Sequence, residues 1–443
     1  MSTQDRAKKL ELVKAILKDL HGGTRVDELK ERFKQVLEMV SPFEIPLIEQ
    51  ELVKEGVPIT DILKLCDLHV ELFREFLQAR ELENVPIGHP VYFLIKENEL
   101  LLKESEILEM LARVLSGSVE RGEVVRYLSE LAAVLRELRR KVRYHYRKIQ
   151  MLLFPYLERR GIVAVPRVLW GREDQVVVKL RELEEAVDSL LNEQNVEGTV
   201  KDLARRAQEL AREISELVFR ENKILYPAAL TLLSEGEWVA IAEEARKFPW
   251  LVQIDSRVWN PAEKPVMPYE LATTVSEEQI EKLPPEFKFM ALSRGVEPDN
   301  YEIRRGGDLD LGTGFLDIEE LRGLFRALPI EITFANRDDR VKFYSESMLS
   351  RGFDRARTII GRRVEFCHPP RLELTVRKVV DSLKRGEAPF REFWTKSGDR
   401  ILRVIIVPIK NDTGEIIGTA EVVEDLTEVI NKAEEIKKKV VVL

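Results

Sequence analysis

Only five histidines and two cysteines occur in 443 residues, so imidazole or thiolate chemistry has to use His21, His69, His89, His145, His368, Cys66 or Cys367. His145 lies in YHYRKIQMLLFPYLE, Tyr144 to Glu158, where helical spacing runs into a Phe-Pro pair. His89 is the second residue of GHPVYFLIKENEL, with Glu97 eight residues further on. Nitrogen and oxygen ligands of this kind suit iron inside a helical bundle, and a di-iron centre there draws on several inward His and carboxylates. Two histidines in this region fall short of such a set. Cys66 and His69, in KLCDLHVELF, are three residues apart and so share a helix face. They could offer a thiolate and an imidazole to haem or a metal, or Cys66 could pack as a small core residue. His21, beside Gly22-Gly23, reads as a helix C-terminal residue near the last carbonyls.

The second concentration is CHPPR, residues 367–371, where a thiol and an imidazole adjoin two prolines that stiffen the chain. Cys367 or His368 could touch a cofactor, Cys367 could act as a redox-sensitive thiol, or the segment could simply shape a loop. Phe334, Phe343, Phe366, Phe393 and Trp394 suffice to line an apolar pocket, and core packing explains them equally well. No serine sits in a G-x-S-x-G elbow and no phosphate-cradling P-loop is present. Enzymatic activity is therefore not expected.

The elements that must position these residues change character along the chain. From about 6 to 82, apolar positions such as Leu10, Val13, Ile16, Leu17, Leu29, Phe33 and Leu37 recur at helical spacing, broken at His21-Gly22-Gly23, Ser41-Pro42 and Gly56-Val57-Pro58. This predicts a small domain of short helices, followed by a linker, ENVPIG. Four longer helical patterns then cover roughly 89–115, 120–159, 172–194 and 199–234. Long helices with short connections point to an up-down four-helix bundle. LLFPYLERRG and ILYPAALTLLSEG each place an aromatic-Pro pair near a helix end, which predicts a kink or local unwinding there.

Past residue 240, Pro and Gly rise in PWLVQ, WNPAEKPVMP, KLPPEF and RRGGDLDLGTG, which read as a turn-rich linker. Asp317 and Glu320 would cap the helix that follows. EITFAN, VKFYS, FREFWTKSG, RILRVIIVPIKND and IIGTAEVVEDLT read as strands, with LTVRKVVDSLKRG helical between them. The total is an α+β domain of about 110 residues.

Composition sets the outer bounds. Lys+Arg 70 against Asp+Glu 78 gives a formal charge of -8 with both signs interspersed, which argues against nucleic acid as a partner. No apolar run reaches the roughly 18 residues needed to span a bilayer, and MSTQDRAKKLELVK lacks an apolar signal region. A cytoplasmic protein without membrane contact is expected. The two cysteines fit a reducing compartment, and the 33% charged content suggests a thermophile.

Residues 6–82, with LHGG, ELVKEG and LCDLHVELF, together with GHPVYFLIKEN, HYRKIQMLLFPYLE, VLWGRED and FRENKILYPAAL, resemble a multidomain family. In that family a domain of unknown function precedes a hemerythrin-like HHE cation-binding bundle. LPIEITFANRDDRVKFYS, IIGRRVEFCHPPRLE, FREFWTKSGDRILRV and GEIIGTAEVVEDLT resemble the PAS domain that closes many of those chains. The resemblance implies an all-α N-terminal helical domain at 1–82, a hemerythrin-like four-helix bundle at 83–240, a linker at 241–315, an α+β PAS domain at 316–430 and a tail at 431–443.

The family pattern reads GHPVH, HYxRKEN and WGxHDE. Here Tyr92 replaces the second histidine of the first motif, Gln150 the glutamate of the second and Glu173 the histidine of the third, while Asn222 stands beside Glu221. Amides bring no charge to neutralise iron, so a di-iron centre is not expected. A residual mononuclear metal site would use His89, Glu97, His145 and Glu173, and the competing reading is a buried hydrogen-bond network of the same side chains. Cys367, His368, Phe366 and Trp394 are the candidates for the PAS cavity, with Cys66 and His69 as a separate haem or metal pair.

The expected function is sensory or regulatory: a PAS small-molecule ligand or redox signal coupled to the bundle and passed to a protein partner, with a homodimer expected. The alternative is an iron- or haem-binding protein that senses or handles oxygen, nitric oxide or iron.

Overall fold

The computed structural model describes residues 85–117, 121–192, 197–253, 258–271, 298–348 and 352–440. The expected N-terminal helical domain, with His21, Cys66 and His69, lies outside them. The chain divides into two compact units, one ending at Glu302 and one beginning at Ile303.

Four long helices build the first unit: α1 (Pro90–Ser116), α2 (Arg121–Lys148), α4 (Ala164–Asn192) and α5 (Glu197–Arg220). Neighbours pack in a closed ring, α1 on α2, α2 on α4, α4 on α5 and α5 back on α1. Each helix carries apolar residues three and four apart on one face, so burial of those stripes drives the assembly. Leu101, Leu108, Leu131, Leu135, Leu180 and Ile214 are fully buried in its core.

Both aromatic-Pro pairs sit where regular α-helix gives way. The π-turn Ile149–Leu153 separates α2 from α3 (Phe154–Arg159), and the π-turn Glu221–Leu225 separates α5 from α6 (Tyr226–Leu232). Pro155 and Pro227 have no N–H to return to the preceding turn. The chain widens instead, and the N–H groups of Phe154 and Tyr226 reach Ile149 O and Glu221 O. Such π-turns are frequent at functional sites.

A capping box at Ser234 starts α7 (Glu235–Glu244), and the chain beyond it does not leave the bundle. Trp250, Trp259 and Leu271 pack against the bundle core. Val258 N and Trp259 N both donate to Ile87 O, at 2.8 and 2.9 Å, and Tyr156 Oη donates to Val266 O at 2.9 Å. Val266 N donates to Gly236 O at 3.0 Å. That approach needs glycine, since a Cβ at 236 would come within 2.6 Å of Lys264 O. Asp299 N closes the path on Arg159 O at 3.1 Å. The described residues 248–253 and 258–271 of the segment expected as linker thus form a strap laid over the helices.

In the second unit, β1 (Leu309–Asp310) and β2 (Phe315–Leu316) form a small hairpin within the turn-rich stretch. Asp317 accepts from Glu319 N and Glu320 N, both at 2.7 Å, and caps α8 (Ile318–Ala327). β3 (Ile330–Asn336), β4 (Val341–Tyr344), β5 (Arg391–Ser397), β6 (Arg400–Lys410) and β7 (Ile416–Asp425) pair antiparallel in the order β4-β3-β7-β6-β5. Helix α9 (Pro370–Lys384) lies between β4 and β5 in sequence, and α10 (Thr427–Asn431) and α11 (Ala433–Lys439) end the described chain.

Alternation along the strands sends Thr333 and Ala335, Phe393 and Thr395, Val404 and Ile406, and Thr419 and Glu421 to one face. Helix α9 touches β6, and its Val380 and Leu383 are buried. Among the described residues, Leu402, Val404 and Val423 form a compact apolar cluster with Ile406 against them, and a cavity lies beside it. Among the described residues no helix is long and apolar enough to cross a membrane.

Candidate functional site

The bundle buries an unusual set of charges where α2 and α5 run into their π-turns. His145, one turn before the first π-turn, is fully buried. Its Nδ1 lies 2.7 Å from Glu97 Oε2 and its Nε2 lies 2.9 Å from Glu221 Oε2. Lys148, three residues on and so on the same side of α2, is 0% exposed and donates to Glu97 Oε1 at 2.6 Å. Leu251 N also donates to Glu97 Oε1, at 2.8 Å, and Lys148 Nζ donates to Pro249 O at 2.8 Å. The strap therefore completes the coordination of both buried charges. Trp250 covers them, with its ring 4.7 Å from Lys148 Nζ and 4.7 Å from the Phe93 ring.

Amides and phenols extend the cluster. Gln150 Nε2 donates to Glu173 Oε2 at 2.6 Å, Asn98 Nδ2 to Asn222 Oδ1 at 2.9 Å, and Tyr226 Oη to Glu221 Oε2 at 3.2 Å. Glu173 Oε1, Glu221 Oε1, Tyr146 Oη and Asn98 Oδ1 are buried without a hydrogen-bond partner.

Burial on its own would push His145 down, but the carboxylates of Glu221 and Glu97 outweigh it and hold the imidazole at about 9. Burial favours the neutral form of Glu97 as well, yet the hydrogen bond and charge of His145, then Lys148, bring its pKa below the usual carboxylate range. Burial and the neighbouring Glu221 charge raise Glu173 to about 8, against the Gln150 hydrogen bond. Burial lowers Lys148, with Glu97 opposing it. At neutral pH, Glu97 thus faces the His145 imidazolium, and Glu173 holds its proton.

Of the four metal candidates, the structure brings Glu97, His145 and Glu173 to this cluster and leaves His89 out. Eight residues along a helix separate His89 from Glu97, about 12 Å. His89 instead caps α1, accepting from Val91 N at 3.2 Å. Its ring lies 4.7 Å from Trp238 and 5.0 Å from Trp259, and burial lowers its pKa to about 4. Sequence reasoning passed over Lys148, although its three-residue offset from His145 was the available signal.

The PAS candidates divide in the same way. A cavity of about 630 Å³ lies between the inner sheet face, α9 and the chain from Phe353 to Pro369. Cys367 and His368 line it. Phe366 and Trp394 do not: they are 44% and 54% exposed, and Trp394 points away because its neighbours Phe393 and Thr395 point in. The Phe343 and Phe325 rings form a tilted pair with centroids 4.9 Å apart. The Cys367 thiol has its pKa raised chiefly by burial, so it is a thiol and not the reactive thiolate.

Arg355 and Glu421 line the cavity, and Glu331, outside its lining, holds Arg355. Glu331 accepts from Gly352 N at 2.6 Å, Phe353 N at 3.1 Å and the Arg355 guanidinium at 2.6 Å, and Arg355 also donates to Glu421 at 2.7 Å. Sequence patterning gave no sign of this triad.

Fold and sites together define a hemerythrin-type helical bundle joined to a PAS domain. Comparison with protein families agrees: residues 89–229 match the hemerythrin HHE cation binding domain, 321–427 the PAS domain, and 13–79 a family of unknown function, DUF438. The chain thus has the three-part architecture of DUF438, hemerythrin and PAS domains. No curated protein matches it. Several solved structures align with part of it, among them the following two. One is the crystal structure of a C-terminal domain from Streptococcus mutans, 30% identical over 29% of this chain and 98% of that one, with a TM-score of 0.27. The other is a sensory box sensor histidine kinase from Vibrio cholerae, 18% identical over 24% of this chain and 88% of that one, with a TM-score of 0.19.

The cation implied by the HHE name does not fit the cluster as it is arranged. Both Glu97 oxygens are engaged, and both His145 nitrogens point at carboxylates. Lys148 supplies a buried positive charge that a metal would have to face. Among the described residues no three His, Cys, Asp or Glu side chains are placed to hold an ion.

Proposed function

We propose that this chain is a sensory or regulatory protein whose PAS cavity takes a small molecule and whose hemerythrin-type bundle acts as a metal-independent structural module, with output through protein–protein contact. The observation that carries the reading is the cavity of about 630 Å³ beside the apolar cluster of the second unit. Cavities of roughly 300 to 1,000 Å³ with mainly apolar walls are typical of small-molecule sites.

The bundle supports the reading from the other side. Its ion pairs lie within the bundle, and the strap, residues 248–253 and 258–271, is tied to them through Leu251 N and Pro249 O. A change in the cluster and a change in the strap are therefore one event, and the strap lies on the chain leading to the PAS unit.

Hydrogen exchange on the full chain tests the coupling. Leu372→Trp, which fills the cavity from α9, should change amide protection in residues 85–271. Unchanged protection there would overturn it. Metal analysis of the purified chain tests the rest: stoichiometric iron would overturn the metal-independent bundle in favour of iron handling.

A further inference from the structure

We infer that the open edge of the PAS sheet, strand β5, is an interface for a second copy of this chain, paired antiparallel about a two-fold axis at Trp394. The inference does not depend on what fills the cavity.

The two edges of the sheet differ. At β4 the chain closes its own edge: Val341 N donates to Arg362 O at 2.9 Å, Gly361 N donates to Val341 O at 2.8 Å, and Arg340 bridges Arg363. At the other end, β5 pairs with β6 alone among the described residues. Every residue from Glu392 to Lys396 is exposed, and so is Phe390 just before the strand. Native sheets rarely leave an edge uncovered where free N–H and C=O groups run beside large apolar side chains such as Phe393 and Trp394.

The register fixes which backbone groups are free. Ile401 N donates to Thr427 Oγ1 at 2.9 Å and Ile401 O accepts from Leu426 N at 3.0 Å, so Ile401 turns both its backbone groups away from β5. Its partner on β5 is Lys396. Antiparallel pairs alternate between hydrogen-bonded and non-hydrogen-bonded, so Lys396, Trp394 and Glu392 are the positions of β5 that leave β6 unbonded. Their N–H and C=O groups point to the open side, and their side chains share the sheet face opposite the cavity.

The side chains at those positions complement a copy of themselves. With the two-fold at Trp394, Glu392 of each copy lies directly opposite Lys396 of the other, about 5.5 Å apart at Cα, and the backbone groups of all three residues find partners. Opposite charges so placed favour the pairing, and like charges oppose it. A two-fold at Glu392 or at Lys396 would set like charges face to face, so the edge selects one register. Within the chain, Glu392 gives Oε1 to Arg403 at 2.7 Å, and Lys396 makes no ion pair among the described residues. Its counter-charge is the glutamate of the second copy.

Sedimentation velocity on the full chain over a concentration series tests this, with the wild type expected to dimerise reversibly. Glu392→Lys and Lys396→Glu should each weaken the dimer about tenfold, because each sets like charges opposite one another. An equimolar mixture of the two variants should recover it, since each chain then meets the opposite charge at both positions. Trp394→Pro removes an N–H that β6 does not use, so it should abolish the dimer and leave the circular dichroism spectrum unchanged. A wild type that stays monomeric throughout overturns the second copy as occupant and leaves the edge to a segment of another protein. A dimer that survives Trp394→Pro in a folded chain lies on another surface and overturns the inference as well. Charge variants that dimerise like the wild type, or that fail to recover on mixing, overturn the register at Trp394.

Discussion

Replacing Lys148 by Met keeps most of the side chain's bulk and removes its charge, which isolates the electrostatic role of the buried pair. The wild-type ammonium is completely buried, 2.6 Å from Glu97 and 2.8 Å from Pro249 O. Without it, Glu97 keeps one oxygen on His145 and the other on Leu251 N alone, and the carbonyl of Pro249 loses its donor. Breaking a buried pair by removing one partner costs about 3–5 kcal/mol, because the remaining charge stays desolvated. For a unit of this size each kcal/mol moves the melting temperature by roughly 2–4 °C, so the bundle transition should fall by about 6–20 °C. Differential scanning calorimetry on the full chain measures it, following the bundle transition separately from that of the PAS unit. The double variant K148M/E97Q should recover more than half of the loss, since the stranded charge is gone. A fall of under about 2 °C in the single variant, or simple addition of the two single effects, would refute the account of Lys148 and Glu97 as one buried unit.

The same cluster predicts a pH response. Glu173, raised to about 8, holds in the folded state a proton that the unfolded chain loses near its ordinary value of 4.5; its contribution is complete below about pH 4.5 and lost as pH rises toward 8. His145, raised to about 9, adds a loss between about 6.5 and 9. The bundle should therefore melt progressively lower from pH 6 to 9, and Glu173→Gln should flatten the lower part of that slope in pH-dependent calorimetry. Gly236→Ala should lift the strap, because its Cβ would meet Lys264 O at 2.6 Å and Val266 Cγ2 at 2.9 Å; faster hydrogen exchange at Val266 is the measure. Gly418→Ala should weaken the β3–β7 pairing, where a Cβ would run into Ala335 O and the Phe334 ring, and should lower the PAS transition by calorimetry.

Where the chain is periodic, its fold could be read directly. The four bundle helices follow from apolar residues at helical spacing, and both aromatic-Pro pairs announced a break that the structure resolves as π-turns. The PAS strands followed from alternating Ile and Val with clear turns. The strap escaped this reading because its backbone is irregular and Pro-rich, and its attachments are hydrogen bonds to backbone groups and to the ends of Glu97, Lys148 and Tyr156. Lys148 escaped because lysine is almost never fully buried unless paired, so sequence alone assigns it to the surface. Trp394 was placed in the cavity on aromatic content, which cannot distinguish it from Phe393; on a strand, one residue is the difference between the two faces. His89 and His145 looked equivalent as bundle histidines, yet one sits before the helix begins and the other in mid-core.

The strap also decides where this protein can be cut. The residues matched by the hemerythrin model stop at 229, but Trp238, Trp250 and Trp259, and the backbone partners of Glu97 and Lys148, all lie beyond that point. A fragment ended there would expose the indole rings' apolar partners to water and leave a buried carboxylate and ammonium each one hydrogen bond short. The unit to express, crystallise or graft runs on to about residue 302, where the compact first unit ends.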